Sequence, residues 1–541
     1  MRRILVLLAA LLVASGCTRI GTSNVGEGRH PYTHPHELRF TASEDLVGLN
    51  PMTDDQATLL YLSTMTQAYL IRTDAKSAAT VPELCTAIPS KANSGISADG
   101  KAITYHLRHG VKWSDGAPFS ADDVVFTTHV VLDPHTNIIS REGWDQIERV
   151  DEPDEFTVVF HLKRPYAPFA YIYFSTGNTG PAILPKHLLA GKDVNTDPYN
   201  ALPVGIGPFK YVRWNRGESV ELAANPLYFR GPPKLQRVVY KIIQDRNTVA
   251  EQLHTHELDL WTPISPHYAN AVKAIPGITF LSTPSFFVDH LDFNVQRPLV
   301  SDPLVRKALR LALDRKLVND KIQFGIYDLS ESVVPKASPF YKDIPLLPTD
   351  IGRANSMLDA AGWKRGADGI RSKNGQRLSL NFATSVGSQD SDQRIELIRT
   401  GWKQIGADLQ VRHYLSSLLF APAAAGGSIF GGKFDAVVFA WGINPQTDLS
   451  NFYACDRFPP DGQNDPRYCN RDVSAAIERG QLEYEPSKRV TGMNLIQQRI
   501  FGDAPVIVLD SRKELYGYNS DLHNWHPNPL EPFDDMMKVD I

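Results

Sequence analysis

Strand-like and helix-like segments follow one another along most of this chain of 541 residues. The segment EFTVVFHLKRP (155–165) alternates apolar and polar residues, as a half-buried strand does. The segment SADDVVFTTHVVLD (120–133) has apolar residues at helical spacing, and Ser120 with Asp123 fits a helix N-terminus. Because such segments alternate, we predict an α/β or α+β architecture with more than one sheet. The length exceeds one ordinary core, so we expect two or more domains.

Two segments in the second half of the chain predict helices. DPLVRKALRLALDRKLVNDKI (302–322) has Pro303 near its start and apolar residues at helical spacing. DIGRANSMLDAAGW (350–363) has a similar spacing and ends at Gly362, which is typical of a helix C-terminus.

The N-terminus has the pattern of an export signal. Two arginines precede an apolar run from Ile4 to Val13, and small residues lead to Cys17. The run is too short for a permanent membrane span, which needs about 20 apolar residues. Residues 14–17 (ASGC) resemble a bacterial lipobox, which implies cleavage before Cys17 and lipid attachment to its thiol. The alternative is a plain secretory signal of residues 1–17. Residues 18–36 are polar and aperiodic, as in a tether.

Two cysteines late in the chain flank a Pro- and Gly-rich loop. Cys455 and Cys469 enclose DRFPPDGQNDPRY, whereas Cys85 stands alone. In an oxidising compartment a disulfide across this loop is expected, and it would stabilise the fold by about 3 kcal/mol in the chain-entropy model. The spacing fits no zinc-binding pattern.

The charge of the chain excludes whole-protein attraction to polyanions. Its formal net charge is −4, and it contains no run of five or six like charges. We therefore expect no nucleic-acid partner, and we expect membrane contact only through the lipid anchor.

Five segments in order resemble one family. They are YHLRHGVKWSDGAPFSADDVVFT (105–127), GIGPFKYVRWNRGESVELAANPLYFRGPPKLQRVVYKIIQD (205–245), LVRKALRLALDR (304–315), RANSMLDAAGW (353–363) and FDAVVFAWGIN (434–444). Together they are similar to the family 5 extracellular solute-binding proteins, the dipeptide-, oligopeptide- and nickel-binding components of ABC importers. The resemblance covers nearly the whole mature chain.

The resemblance implies a two-lobed periplasmic-binding-protein fold (type II, cluster C-like) with an extra inserted domain. Domain I would be discontinuous, domain II would be the insertion, and domain III would form the other lobe. The expected limits are 37–80, 200–285 and 505–541 for domain I, 81–199 for domain II and 286–504 for domain III. Strands near TPSFFVDHLDFNV (283–295) and APVIVLDSRKEL (504–515) would cross between the lobes, which close on a ligand by hinge motion.

The segment around Trp441 and Gly442 is expected to face the ligand. In peptide binders of the family, an Asp in this segment pairs with the α-amino group of the peptide. On that pattern Asn444 replaces the usual Asp, and Asp448 matches a later Asp with one extra residue between. The amine anchor is therefore absent or moved to Asp448. As alternatives, Asn444 only caps a turn, and Trp441 packs beneath the loop.

Further candidate contacts lie on the first crossing strand. Phe287, Asp289 and Asn294 would alternate between cleft and core. His254 and His256 do not form an HExxH motif, because Leu260 stands where its second His would be. We expect no metal site.

The chain contains no G-x-S-x-G, G-x-x-x-x-G-K-[ST] or G-x-G-x-x-G motif, so we expect neither catalysis nor a cofactor. The expected function is that of a monomeric, lipid-anchored binding protein in the periplasm or cell envelope. It would capture a peptide or peptide-like ligand for ABC permease and ATPase subunits. The alternatives are a ligand sensor or chaperone-like protein of the same fold and, further off, a nickel-chelate binder or hydrolase.

Overall fold

The structure is a computed structural model. It describes residues 29–541 except 55, 75–78, 139–140, 142, 177–180, 387–388, 424–425, 445–446 and 530. The expected signal peptide, Cys17 and residues 18–28 of the expected tether lie outside the described residues. Within the described ranges, no helix is both long and apolar enough to cross a membrane.

Strands and helices alternate, as expected for an α/β protein. The strands are β1 (Glu37–Thr41), β2 (Ile71–Thr73), β3 (Thr80–Pro82), β4 (Ala102–His106), β5 (Ile147–Asp154), β6 (Thr157–Leu162), β7 (Phe209–Asn215), β8 (Ser219–Ala224), β9 (Arg237–Lys241), β10 (Leu260–Trp261), β11 (Ile278–Phe293), β12 (Lys364–Arg365), β13 (Arg371–Lys373), β14 (Gln376–Arg377), β15 (Ser379–Ser385), β16 (Asp408–Tyr414), β17 (Ala436–Gly442) and β18 (Val506–Asn519). The helices are α1 (Ala57–Thr66), α2 (Ala121–Leu132), α3 (Phe169–Ile172), α4 (Lys186–Leu189), α5 (Arg246–His254), α6 (Ala269–Lys273), α7 (Pro303–Leu311), α8 (Arg315–Ile322), α9 (Ile351–Ala360), α10 (Gln389–Gln404), α11 (Ser416–Leu419), α12 (Ser450–Tyr453), α13 (Arg471–Leu482) and α14 (Pro486–Asp503).

The largest sheet of the described chain contains ten strands. Its order in the described chain is β16-β15-β17-β11-β18-β10-β1-β9-β8-β7. The long strands β11 and β18 are antiparallel neighbours at its centre, and their register shifts between Pro284 and Val288. On one side β11 pairs with β17, and on the other β18 pairs with β10. Strands β11 and β18 correspond to the two segments that the sequence analysis assigned to the crossings between lobes.

The three largest hydrophobic cores of the described chain lie one in each of the three expected domains, for which we keep the names domain I, II and III. Phe40 and Tyr240 lie in the core of domain I, Phe160 in that of domain II and Trp402 in that of domain III. Domain II has its own sheet, of order β4-β6-β5. Residues 68–71, which the sequence analysis gave to domain I, contribute Ala68, Leu70 and Ile71 to the core of domain II. The expected domain limits therefore stay a proposal, and packing favours an earlier start for domain II.

The chain enters and leaves domain II at neighbouring points. The helix α1 ends at Thr66, and the backbone N–H of Gly207 donates a hydrogen bond of 3.0 Å to the Thr66 carbonyl oxygen. A Cβ atom at Gly205 would overlap that oxygen, and one at Gly207 would overlap the Met65 carbonyl oxygen. The two chain segments lie this close because glycine has no Cβ.

An ion-pair network fastens domain II to domain I. Arg72 on β2 lies 2.9 Å from Glu83 and 3.4 Å from Asp534 near the C-terminus. The hydroxyl of Tyr228 donates to the same Glu83 at 2.6 Å, and Arg230 lies 3.7 Å from it. Because these groups are largely buried and share partners, domains I and II are expected to move as one lobe.

The structure refines two expectations about local structure. The segment 302–322 forms two helices, α7 and α8, because the side chain of Asp314 accepts a hydrogen bond from the Leu317 N–H and begins a new helix. Residues 30–36 are not a free tether: Thr33 donates to Asp521 at 2.6 Å, and the His36 N–H donates to the carbonyl oxygen of Ile541. The helix N-terminus at Ser120 and Asp123 is confirmed as a capping box.

Candidate functional site

A cavity of about 590 Å³ lies between domain II and domain III. Its volume is within the usual range for small-ligand sites, about 300–1,000 Å³. Domain II contributes Arg164 and Tyr166 to the wall, and domain III contributes Asn451, Arg457 and Gln481. The wall therefore changes if the two domains move relative to one another, which makes this cavity the candidate ligand site.

The segment around Trp441 leads into this cavity. Ser450 and Asn451, at the start of α12, line the cavity, whereas Trp441 and Gly442 stand earlier, at the end of β17. The partly buried Trp441 ring stacks on His290 at 5.6 Å and contacts Phe452 at 4.5 Å. These contacts are made within domain III, as in the alternative in which Trp441 packs beneath the loop. A ligand contact at Trp441 stays a prediction.

Asn444 and Asp448 hold the loop that follows β17. The side-chain oxygen of Asn444 accepts from the Asp448 N–H at 3.4 Å. The residue Asp448 is 7% exposed, and its carboxylate accepts from the Ser450 N–H at 2.9 Å and from Gln481 Nε2 at 3.0 Å. A carboxylate has about four acceptor positions, of which these two bonds from described residues occupy two. Asp448 is not among the residues that line the cavity, and its role as amine anchor stays a prediction.

Gln481, at the end of α13, connects this loop to domain II. Its Oε1 accepts from Arg164 Nη2 at 3.1 Å, while its Nε2 binds Asp448. Its backbone oxygen accepts from the Ala167 N–H at 2.6 Å. One residue of domain III is thus bonded to two residues of domain II and to the predicted amine anchor.

Tyr484 forms a second contact across the same boundary. Its hydroxyl donates to the Gly100 carbonyl oxygen at 2.7 Å and accepts from the Tyr166 N–H at 3.0 Å. Its ring lies 6.0 Å from that of Phe169. These contacts hold domain III against domain II, so the structure represents a state in which the two are engaged.

Tyr484→Phe is expected to weaken this engagement. The change removes the hydroxyl that bonds the Gly100 carbonyl oxygen and the Tyr166 N–H, and the loss of such buried hydrogen bonds costs about 1–3 kcal/mol. Small-angle X-ray scattering of the unliganded protein should then give a larger radius of gyration. Tyr268→Phe is the matched control, because its hydroxyl bonds to Asn247 within domain I. Identical radii for both variants and the wild type would contradict the expectation.

The candidates on the first crossing strand have different surroundings. The Phe287 side chain is 40% exposed and pairs across the sheet with Gly442, where a Cβ atom would lie 3.1 Å from the ring. Asn294 is buried and donates to the Gly432 carbonyl oxygen at 3.1 Å, within domain III. Phe287 is therefore more accessible to a ligand than Asn294. A ligand contact by either residue stays a prediction.

Asp289 is engaged with other residues of the crossing strands. It is fully buried and receives two hydrogen bonds from Arg512, at 2.7 and 2.9 Å. Its cross-strand neighbour is Asp510. Burial alone would raise the pKa of Asp289, but the Arg512 guanidinium holds that pKa well below its usual range. Burial, and then the negative charge of Asp289, raise the pKa of Asp510.

A disulfide joins Cys455 and Cys469, whose Cα atoms are 4.6 Å apart. The loop that it closes brings Arg457, Asp461 and Gln463 to the wall of the cavity. Cys85 is a buried free thiol, and burial raises its pKa to about 12.

Intact mass measurement can test the disulfide. The domain that starts after Cys17 should gain one alkyl group when it is denatured and alkylated without reductant, because only Cys85 is free. After reduction it should gain three. Three alkyl groups in the unreduced sample would contradict the pairing.

The sequence analysis did not single out Arg164, Arg457 or Gln481. Arg164 and Gln481 are 317 positions apart and meet only through the fold. Arg457 had one signal, its position inside the loop between the two cysteines.

No group of three or more His, Cys, Asp or Glu side chains suited to a metal ion occurs in the described part of the chain. His256 instead stacks on Tyr32 with ring centroids 3.6 Å apart. Burial lowers the pKa of His256.

Comparison with known proteins identifies the family. The family model described as "Bacterial extracellular solute-binding proteins, family 5 Middle" matches residues 80–460. The chain is 28% identical over 477 residues to di/tripeptide-binding protein 2 of Pseudomonas aeruginosa, covering 82% of this chain and 85% of that protein. It is 26% identical over 450 residues to the oligopeptide-binding protein AppA of Bacillus subtilis, covering 82% and 80%.

A solved structure extends the comparison to the fold. The structure of AppA from Bacillus subtilis in complex with a nonapeptide superposes with a TM-score of 0.77 at 23% identity, covering 93% of this chain and 98% of that one. The two-lobed, type II periplasmic-binding-protein fold expected from the resemblance is confirmed. The chain belongs to the bacterial extracellular solute-binding proteins of family 5.

Proposed function

We propose that this protein is the lipid-anchored binding component of an ABC importer and captures a peptide or peptide-like ligand. Proteins of its family are extracellular or periplasmic binding components of transporters and not enzymes. The observation that carries the proposal is the cavity of about 590 Å³ whose wall is shared between domain II and domain III. A ligand in this position contacts both lobes at once.

The peptide class is supported by the relatives. One is named a di/tripeptide-binding protein and another an oligopeptide-binding protein, and each aligns with more than three quarters of this chain. The polar groups on the wall, Ser450, Asn451 and Gln463, suit the N–H and C=O groups of a peptide backbone.

Hinge closure about β11 and β18 would trap the ligand. Opening would break the contacts of Gln481 and Tyr484 with domain II, and a bound ligand would favour the closed state further through contacts made only in that state. The closed cavity excludes water, so hydrogen bonds to the ligand strengthen. The protein would then deliver its ligand to a permease driven by a separate ATPase subunit.

The anchor is proposed from the lipobox-like sequence alone. Cleavage before Cys17 and lipid attachment to its thiol would hold the protein at the envelope membrane, with residues 18–28 as spacer. Cys17→Ser in the full-length chain should move the protein from the membrane fraction to the soluble fraction of the cell envelope. Membrane retention of the variant would contradict the anchor.

Native mass spectrometry tests the function. The domain that starts after Cys17, purified without refolding, should carry bound species that can be released and identified. Short peptides would support the proposal and show which lengths fit. A single non-peptide species or a metal chelate would overturn the peptide class.

Asp448→Asn tests the amine anchor. If Asp448 pairs with the α-amino group of the ligand, the change should weaken binding by about 2 kcal/mol or more, the scale for a buried charge pair that loses one partner. Asp456→Asn is the control, since that carboxylate is 78% exposed. Isothermal titration with a peptide identified by mass spectrometry gives both affinities, and an Asp448 variant equal to wild type would discard the role.

A further inference from the structure

The disulfide-closed loop, residues 455–469, forms a large part of the cavity wall on the side of domain III. The wall residues that it supplies are Arg457, Pro459, Pro460, Asp461, Gly462 and Gln463. Because so much of the wall belongs to one loop, any movement of this loop changes the shape of the cavity.

The neck of the loop is closed in two ways. The disulfide joins Cys455 to Cys469. The buried side chain of Asn464 donates through Nδ2 to the carbonyl oxygens of Ala454 and Tyr468, at 2.9 and 2.7 Å. Ala454 and Tyr468 immediately precede the two cysteines. The covalent bond and these hydrogen bonds therefore hold the same two chain segments together.

Short-range contacts position the tip of the loop, residues 456–463. The Arg457 carbonyl oxygen accepts from the N–H of Asn464, within the loop, at 2.9 Å. Gln463 connects the tip to α12: its N–H donates to the Asn451 carbonyl oxygen at 2.9 Å, and its Oε1 accepts from Asn451 Nδ2 at 3.0 Å. Closure of the neck limits how far this tip can move.

One buried group opposes the seating of the loop. Asp465 is fully buried, and among the described residues neither of its carboxylate oxygens has a hydrogen-bond partner. Burial, and then the negative charge of Asp292 on β11, raise the pKa of Asp465, whereas the Arg467 guanidinium acts in the opposite direction. A buried carboxyl group without hydrogen bonds costs free energy, most of all when it is ionised. Exposure of Asp465 to water would remove this cost, so the loop needs a constraint that keeps it in place.

The disulfide is accessible to a reagent. Cys469 is exposed and Cys455 is half-buried. Cys455 also lines a second cavity, of about 270 Å³, together with Arg164 and Gln481. Thiol–disulfide exchange requires that a thiolate reaches one of the two sulfur atoms, and the exposure of Cys469 permits this approach.

We propose that the Cys455–Cys469 disulfide is a redox-sensitive latch on the cavity wall: its reduction by a dithiol releases the loop and lowers the affinity for the ligand. The thiolate of the dithiol attacks the sulfur of Cys469 and forms a mixed disulfide, and Cys455 leaves as a thiolate that takes up a proton. The second thiol of the reagent then displaces Cys469. The dithiol becomes a disulfide, and two electrons and two protons pass to the cysteines. The effect on affinity rests on the proposed function, whereas the release of the loop does not.

Hydrogen exchange followed by mass spectrometry tests the release. The domain that starts after Cys17 is compared with and without dithiothreitol, which has one target because Cys85 is already a free thiol. Reduction should speed exchange in residues 456–463 about tenfold or more and leave α10, in the same domain, unchanged. Equal acceleration in the loop and in α10 would mean general unfolding of domain III. No acceleration would mean that the loop stays seated without the disulfide. Either result would overturn the latch.

Three variants identify the cause of the release. The double variant Cys455→Ser, Cys469→Ser should exchange like the reduced wild type and should not respond to dithiothreitol. Asp465→Asn should exchange more slowly in the reduced loop than the wild type does, because asparagine cannot ionise on exposure. Asp456→Asn is the matched control on the same loop, since the Asp456 side chain is 78% exposed. Equal exchange by the reduced Asp465→Asn variant and the reduced wild type would overturn the role of Asp465.

Retention of a tripeptide library after gel filtration measures the effect on affinity. The oxidised domain should retain about tenfold more peptide than the reduced domain, because a released loop must be ordered again on binding. Equal retention by the two forms would overturn the latch and leave peptide binding in place. No retention by the oxidised wild type would overturn the proposed peptide function and the affinity effect with it, while the exchange measurement decides the release of the loop independently.

Discussion

Arg512→Leu is expected to lower the free energy of unfolding by about 3 kcal/mol, near the lower end of the range for a broken buried ion pair. The change leaves the buried carboxylate of Asp289 without its two charge-assisted hydrogen bonds. We expect the lower end because the Arg512 side chain is 36% exposed and water partly screens the pair. The loss falls on β11 and β18, the two strands on which both lobes depend.

Urea unfolding followed by circular dichroism measures this loss. Lys513→Met is the matched control: its neighbouring pair with Asp328 is 3.0 Å long, but both side chains are about one third exposed. A pair of that kind contributes about 0–1 kcal/mol. Equal destabilisation by the two variants would show that the Asp289–Arg512 pair is not a buried stabilising contact.

Asp510→Asn is expected to change how stability depends on pH. Burial and the charge of Asp289 raise the pKa of Asp510 in the folded protein, whereas Arg394 and Arg512 act in the opposite direction. A raised carboxyl pKa gives a contribution that is complete below the unfolded pKa, about 3.9, and is lost as the pH rises through the folded pKa. Between the unfolded and the folded pKa of Asp510, the free energy of unfolding of the wild type falls by up to about 1.4 kcal/mol per pH unit.

Asparagine stays neutral at every pH, and its amide carries N–H donors. The variant should therefore gain stability relative to the wild type as the pH rises above the unfolded pKa, by about 1.4 kcal/mol per unit at most. Urea unfolding at several pH values gives the difference between the two curves. Asp328→Asn, on the exposed pair, should follow the wild-type curve. Parallel curves for Asp510→Asn and the wild type would contradict a raised pKa.

Local patterns predicted much of the fold. The capping box at Ser120 depends on residues three positions apart, so the sequence contained all the information for it. The division of segment 302–322 was missed because apolar spacing continues across the break, while the N-cap bond of Asp314 competes with helix continuation. Residues 30–36 look like a tether because their partners, Asp521 and Ile541, are at the other end of the chain.

The candidate site was less predictable for the same reason. The sequence analysis indicated the segment after β17, and two of its residues, Ser450 and Asn451, line the cavity. The groups that connect this segment to domain II, Arg164 and Gln481, belong to separate segments with no shared motif. Polar side chains such as these are common on protein surfaces. Their role is evident only in the fold, where the two domains meet and the two side chains form a hydrogen bond.

The close approach of Thr66 to Gly205 and Gly207 has an evolutionary consequence. A domain whose two ends are adjacent can be gained, lost or exchanged in one genetic event, because its removal leaves a gap that a short turn can close. Domain II meets this condition and also has its own sheet and core. Domains I and III do not meet this condition, because strands β11 and β18 belong to the sheet that both domains share. Recombination can therefore alter one wall of the cavity, the one that carries Arg164, while the remaining scaffold is inherited intact.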